Sequence, residues 1–161
     1  MRLYVVRHGE AERQVTTDEA RALTPRGREG VRQLWETLTS EGERPLRLYT
    51  SPYVRARQTA AEIADICGLD VTDTCDLLVP DGHPQRVLDW LLGLTMQPAD
   101  QDSPLVLVSH MPLVAHLVGQ LCEGPSARLP MGVGAVAALD MEVAAMAGAR
   151  LAWLRAPGDL F

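Results

Sequence analysis

Apolar positions along this chain alternate between two rhythms. Arg2–Arg7 is a short run rich in β-forming residues and apolar on both faces, as expected of a strand buried in a parallel sheet. Residues 8–24 are polar and charged and predict a long loop with room for one helical turn. At Thr24-Pro25 the rhythm becomes helical: Thr suits the N-cap and Pro the first turn. The apolar stripe Val31, Leu34, Trp35 and Leu38 then recurs at helical spacing until Gly42 ends it. Residues 46–50 predict a second strand. Ser51-Pro52 follows it directly and reads as another N-cap with Pro in the first turn, opening a helix that runs to about Cys67-Gly68.

A weak strand near residues 71–75 comes next. Pro80, Gly82 and Pro84 mark a loop, and residues 87–94 predict a further helix. Leu105–Ser109 is the clearest buried strand, ended by His110-Met111-Pro112 and followed by a helix to about Cys122, which Gly124-Pro125 closes. Residues 135–141 and 149–154 predict two last strands with a turn near Gly148. Strands alternating with helices point to an α/β sandwich with a mostly parallel sheet. No repeat, low-complexity tract or linker interrupts the chain, so one domain over residues 1–161 is expected.

Composition narrows the range of functions. At 47% hydrophobic and 22% charged the sequence is that of an ordinary globular protein. No apolar run reaches transmembrane length, and the first residues are too short a run for a secretory signal, so a cytoplasmic location is expected. The net charge of −6 disfavours general nucleic-acid or anionic-membrane binding. Cys67, Cys75 and Cys122 form no C-x-x-C pair, which argues against a disulfide framework or zinc ribbon and for burial as small hydrophobes. All 15 basic side chains are Arg, so an anion site must be built from guanidinium groups, His and backbone N–H. His spacing matches no metal motif and no P-loop is present, so neither a metal nor a cofactor is expected.

Ligands of open α/β sheets bind beyond the carboxyl ends of the strands. That rule brings three segments together: Arg7-His8-Gly9-Glu10 after the first strand, Ser51 to Arg55 after the second, and Ser109-His110 after the central one. Phosphoryl transfer through an enzyme nucleophile needs a side chain able to attack phosphorus and cationic donors around the phosphoryl oxygens. A neutral imidazole attacks, a guanidinium fork pairs oxygens bidentately, and Gly9 leaves room for phosphate to approach the backbone. Taken singly, Arg7-His8-Gly9 is more often a charged strand end, Arg55 a solvated helix residue and His110 a core or capping histidine. Their joint placement overturns those readings. His116 reads as a helix-packing residue and His83 as an exposed loop residue.

These residues resemble the histidine phosphatase superfamily: Arg7-His8-Gly9, then Ser51-Pro52 with Arg55-Ala56 and Gln58-Thr59-Ala60, then Ser109-His110. Within it, Arg21-Ala22-Leu23-Thr24, Gly27, the run from Ser109 to Val114 and the chain length are similar to the small SixA-type phosphohistidine phosphatases. The resemblance implies a three-layer α/β/α sandwich of phosphoglycerate mutase type. It implies His8 as a nucleophile passing through phosphohistidine, Arg7 and Arg55 as a clamp on the phosphoryl oxygens, and His110 as a further donor. Gly9 lies at the phosphate, and Arg21 touches phosphate or the substrate rim. Arg55 stands in the first turn of its helix, where the dipole favours an anion. Arg57 lies about 200° round that helix, so only one of the two faces the site, and Arg55 is the choice. The implied partner is a protein carrying phosphorylated histidine, such as a phosphotransfer domain of a signalling relay.

The general acid is where the pattern departs. The position expected to hold Glu is Leu77, in the segment Asp76-Leu77-Leu78-Val79-Pro80-Asp81. Asp76 and Asp81 in that segment, and Asp18 and Glu10 from the first loop, are candidate substitutes. Asp18 and Asp81 also read as ordinary loop acids. A P–N bond is labile and its leaving group is less basic than an alkoxide, so phosphohistidine needs less of the ~10²–10⁴-fold that acid catalysis supplies. The short stretch between Cys75 and Leu105 leaves little to roof the pocket, which suits a side chain projecting from another protein. Two alternatives stand beside this one: a phosphatase of small phosphate esters, and a non-catalytic phosphate-binding adaptor.

Overall fold

The computed structural model describes residues 1–14, 16–70, 73–97 and 102–159. Strand β1 (Arg2–Arg7) opens the chain, and α1 (Pro25–Ser40), β2 (Arg47–Thr50), α2 (Val54–Cys67) and β3 (Asp73–Thr74) follow. Then come α3 (Pro84–Thr95), β4 (Leu105–Ser109), α4 (Leu113–Cys122), β5 (Val136–Met141) and β6 (Ala149–Arg155). The six strands form one sheet in the order β3-β2-β4-β1-β5-β6. β3, β2, β4 and β1 pair in parallel, while β5 lies antiparallel between β1 and β6. The sheet is therefore mostly parallel, with β5 the one strand reversed among those described. The chain between β5 and β6 is too short for a crossover, so those two must pair antiparallel.

Alternation along the central strands supplies both faces with apolar side chains. Leu3 and Val5 of β1 pack with Leu105 and Leu107 of β4 against Leu88 and Leu91 of α3 and Leu113 and Leu117 of α4. Tyr4 and Val6 face the other way, with Val106 and Val108, onto Val31, Leu34 and Trp35 of α1 and Ala60 and Ile63 of α2. Two buried faces explain why β1 and β4 are apolar without a polar side. The result is the expected three-layer α/β/α sandwich, with helices of opposite sequence halves on opposite faces.

Local chemistry sets the element ends. Thr24 caps α1, its hydroxyl accepting from the Gly27 N–H at 2.8 Å. Gly68 closes α2 in the left-handed conformation at φ 69°. The polar segment after β1 holds a 3₁₀ turn at Asp18–Ala20, and another occupies Asp76–Leu78. The expected start of α2 needs correction. The helix begins at Val54, because Ser51 still hangs on the sheet, its N–H donating to the Val108 carbonyl at 2.9 Å. Its hydroxyl is spent elsewhere. The third helix starts earlier than expected, at Pro84. Of the weak strand expected near 71–75, residues 73–74 pair with β2, and 71–72 lie outside the described residues. No helix among the described residues is long and apolar enough to cross a membrane.

Candidate active site

Adjacent parallel strands that end in register place their next residues side by side. Arg7 of β1 stands opposite Ser109 of β4, and the His8 N–H donates to the Ser109 carbonyl at 3.0 Å. The following side chains, His8 and His110, therefore meet, with ring centroids 5.1 Å apart. β2 ends beside them, and the first turn of α2 brings in Arg55. His8, Arg55 and His110 are 7%, 4% and 1% exposed, so three polar groups share one nearly dry cluster.

The His8 ring is oriented by its neighbour's backbone. Its Nδ1 lies 2.8 Å from the Gly9 carbonyl. A carbonyl only accepts, so Nδ1 carries the proton and Nε2 the lone pair. That lone pair lies 3.3 Å from the Nε–H of Arg55. The remaining Arg55 donors go to Asp18, Nη1 to its carbonyl at 2.7 Å and Nη2 to its carboxylate at 3.1 Å. Arg57 is exposed on the outer side of α2. Arg7 reaches back to the Met131 carbonyl at 2.9 Å, while its Nε is buried with no partner among the described residues. Burial lowers the Arg7 pKa from its ordinary value. Arg21 bonds the Glu12 carbonyl through Nε and the Asp18 carboxylate through Nη1 at 3.0 Å.

Burial among guanidinium groups keeps both histidines neutral. Desolvation, helped by the charges of Arg55, Arg7 and Arg21, lowers the His8 pKa to about 4, against a raising effect of the Gly9 bond. Desolvation, then His8, Arg55 and Arg7, lowers His110 to about 3. At neutral pH the cluster holds a neutral His8 imidazole beside the guanidinium of Arg55, with Arg7 Nε buried and without a partner among the described residues. Such a cluster is able to receive a tetrahedral oxyanion and offer it a nucleophile.

The candidate acids occupy different places. Burial would raise the Asp18 pKa, but hydrogen bonds from Arg21 and Arg55 outweigh it and hold the group below its ordinary value. It is a carboxylate with both oxygens engaged. Glu10 lies 3.8 Å from Arg26 and lines a separate groove on the α1 side with Glu29 and Pro157. Asp81 is exposed on the loop after the second 3₁₀ turn, and with Glu19 and Asp18 it raises the Tyr53 phenol, behind burial as the first cause. Leu77 packs against the apolar core.

Gly9 also has a packing reason beside the one read in the sequence. Its N–H donates to Thr59 Oγ1 at 3.1 Å, and a Cβ there would lie 3.0 Å from both the Gly27 carbonyl and Val31. The space a side chain would fill is taken by α1. Gly27 answers it: a Cβ on that residue would lie 2.1 Å from the Glu10 carbonyl. The two glycines let the loop after β1 sit directly on the helix.

Sequence reasoning missed three contributors. Ser51 was read as a helix cap, yet its Oγ lies 2.7 Å from His110 Nε2. Tyr53 carries no sequence signal, yet its ring lies 5.1 Å from both the Arg55 guanidinium and the His110 ring. Thr59 was visible only as part of the Gln58-Thr59-Ala60 motif, and it joins the Gly9 N–H to the Arg55 carbonyl.

Comparison with known proteins agrees with this geometry. The family model of the histidine phosphatase superfamily (branch 1) matches residues 3–78, a span that contains His8 and Arg55. Phosphohistidine phosphatase SixA of Escherichia coli (strain K12) is 31% identical over 125 residues, 77% of this chain and 76% of that protein. A SixA homolog of Haemophilus influenzae is 30% identical over 131 residues, 75% of this chain and 77% of that one. The solved structure of the protein histidine phosphatase SixA complexed with tungstate superposes with a TM-score of 0.89 at 27% identity, covering 100% of both chains. Likeness on this scale in sequence, extending over the whole fold, means common descent: the chain belongs to the histidine phosphatase superfamily.

Proposed function

We propose that this chain is a phosphohistidine phosphatase that removes the phosphoryl group from a phosphorylated histidine of a protein, through a phospho-His8 intermediate and without a metal ion. The observation that carries this reading is the anchored tautomer of His8, whose Nε2 lone pair faces Arg55 in a buried, cation-lined pocket. Its relatives named as phosphohistidine phosphatases support the substrate class, and the solved complex of a SixA with tungstate supports affinity of this fold for a tetrahedral oxyanion.

In the first step Nε2 attacks phosphorus and the substrate's P–N bond breaks. A phosphoimidazole protonated on its second nitrogen leaves as neutral imidazole, so no proton has to be delivered to the departing atom. The new phosphoimidazole on His8 keeps its Nδ1–H on the Gly9 carbonyl. Water then attacks phosphorus, releasing phosphate and restoring neutral His8. Arg7, Arg55 and His110 balance charge on the phosphoryl oxygens, and Arg21 with Gly9 borders the same site. Asp18, committed to two arginines, holds them in place in the resting pocket. With Asp18 engaged and Leu77 at the expected acid position, the pocket suits a leaving group that needs little protonation. The partner on this reading is a histidine-phosphorylated protein of the cytoplasm, such as a phosphotransfer domain in signal transduction.

The test is phosphate release from a phosphohistidine-bearing protein in EDTA, by wild type and His8→Ala, beside a panel of alkyl phosphates. Release that His8→Ala abolishes and that exceeds ester turnover is the expected result. Better turnover of the esters would make this a small-molecule ester phosphatase. Phosphate binding with no turnover of either would make it an adaptor.

A further inference from the structure

His110 is held by a neighbour that fixes where its proton sits. His110 is 1% exposed and Ser51 is 0% exposed, so neither side chain completes its hydrogen bonds with bulk water. His110 Nε2 lies 2.7 Å from Ser51 Oγ, while Nδ1 is buried with no partner among the described residues. Ser51 Oγ also accepts from the Tyr53 N–H at 3.2 Å.

A hydroxyl has one proton to donate and two lone pairs to accept with, and a neutral imidazole has one donor and one acceptor nitrogen. Two arrangements are open. If His110 carried its proton on Nε2 and donated it to Ser51, the serine O–H and the Nδ1 lone pair would both be buried without partners. If Ser51 donates to Nε2, its hydroxyl is fully used, and the one group left over is an Nδ1–H. A buried polar group without a partner is destabilising, so the second arrangement is favoured by having one fewer of them. It also leaves a donor, which a phosphoryl oxygen satisfies, whereas the first leaves a lone pair, which a phosphoryl oxygen repels.

We propose that Ser51 is a positioning residue: its hydroxyl, anchored by the Tyr53 backbone, donates to Nε2 of His110 and locks that imidazole in the Nδ1–H tautomer, so that His110 meets the phosphoryl group as a donor. The same logic operates at His8 with the opposite partner. There a carbonyl acceptor holds the proton on Nδ1 and frees a lone pair, while at His110 a hydroxyl donor occupies the lone pair and frees an N–H. Two neighbouring histidines thus receive opposite tasks, nucleophile and donor, from the groups behind them.

The kinetic part of the test rests on the phosphatase reading, and the spectroscopic part does not. The full chain labelled with ¹⁵N-histidine is observed at neutral pH by long-range ¹H–¹⁵N correlation, as wild type, Ser51→Ala and Ser51→Thr. His110 of the wild type is expected as a single neutral tautomer protonated on Nδ1, with that proton moving downfield on addition of inorganic phosphate. Ser51→Ala is expected to lose the single tautomer, and Ser51→Thr, which keeps the hydroxyl, to recover it. In turnover, Ser51→Ala is expected to lower kcat about ten- to hundredfold, with Ser51→Thr restoring most of it. A wild-type proton on Nε2 overturns the proposal without need of any variant. A folded Ser51→Ala that keeps the pure Nδ1–H tautomer, or that turns over within twofold of a phosphohistidine-active wild type, also overturns it. If the wild type hydrolyses no phosphohistidine, the substrate reading fails while the tautomer still decides the role of Ser51.

Discussion

A nucleophilic imidazole must be unprotonated, and at ordinary exposure half of it is lost near pH 6.5. Burial beside three arginines removes that limit for His8, whose pKa falls to about 4. The free enzyme's kcat/KM is therefore expected to show no loss from imidazole protonation between pH 7 and 5, as measured by a pH–rate profile. A fall centred on pH 6.5 would mean that His8 is more solvated than its 7% exposure states. Arg55 is the second test at this scale. Its Nε faces His8 while both terminal nitrogens hold Asp18, a fork that Lys has no geometry to reproduce. Arg55→Lys is expected to lower kcat about 10²–10³-fold with the fold intact, read from steady-state kinetics and circular dichroism. The sequence could bring His8, Arg7, Arg55 and His110 together because each stands at a strand end or shortly after one. The contacts of Ser51 and Tyr53 with His110 were not legible, since a serine before a proline looks like a cap until the partner of its hydroxyl is known, and Tyr53 matches no motif.

At the scale of elements, the site depends on how closely α1 carries the loop after β1. Gly9 and Gly27 face each other across that contact, and a Cβ at Gly27 would meet the Glu10 backbone at 2.1 Å. Backbone cannot rotate aside as a side chain can. Gly27→Ala is expected to destabilise by about 2–3 kcal/mol, lowering Tm by roughly 4–12 °C, and to reduce activity because the loop bearing His8 moves. Gly68→Ala is the contrast. At φ 69°, with open space around its Cα, it is expected to cost about 1 kcal/mol from backbone strain alone and to leave kcat unchanged. Thermal melts and kinetics on the two variants separate site packing from helix capping. The helical stripe of α1 was legible from its period, as were β1 and β4 from their unbroken apolar runs. The start of α2 was not, because the sheet claims Ser51 through the Val108 carbonyl and delays the helix.

For the molecule as a whole, the alternation of strands and helices was enough to anticipate three layers and a mostly parallel sheet. The short turn near Gly148 made antiparallel pairing of β5 and β6 legible, but not that β5 is the reversed strand and lies beside β1, because that depends on the path of the connection from α4. Stability should carry the mark of the two buried neutral histidines. Both have folded-state pKa values below the unfolded 6.5, so the unfolded chain takes up protons first as pH falls. Their contribution to stability is complete above about pH 6.5 and is lost progressively down to about pH 4 for His8 and about 3 for His110. Urea titrations across that window are expected to show a falling free energy of unfolding. In His8→Ala the fall is expected to be shallower, and an unchanged slope would show that His8 titrates normally in the folded chain.

The central claim is that phosphate passes through His8. A rapid-quench reaction with ³²P-labelled phosphohistidine protein, stopped in alkali because phosphoimidazole survives there, tests it directly. The account predicts transient label on the enzyme, located on Nε2 of His8 and discharged as phosphate on chase. Label on any other residue, or full turnover with no labelled enzyme at any time, would contradict it.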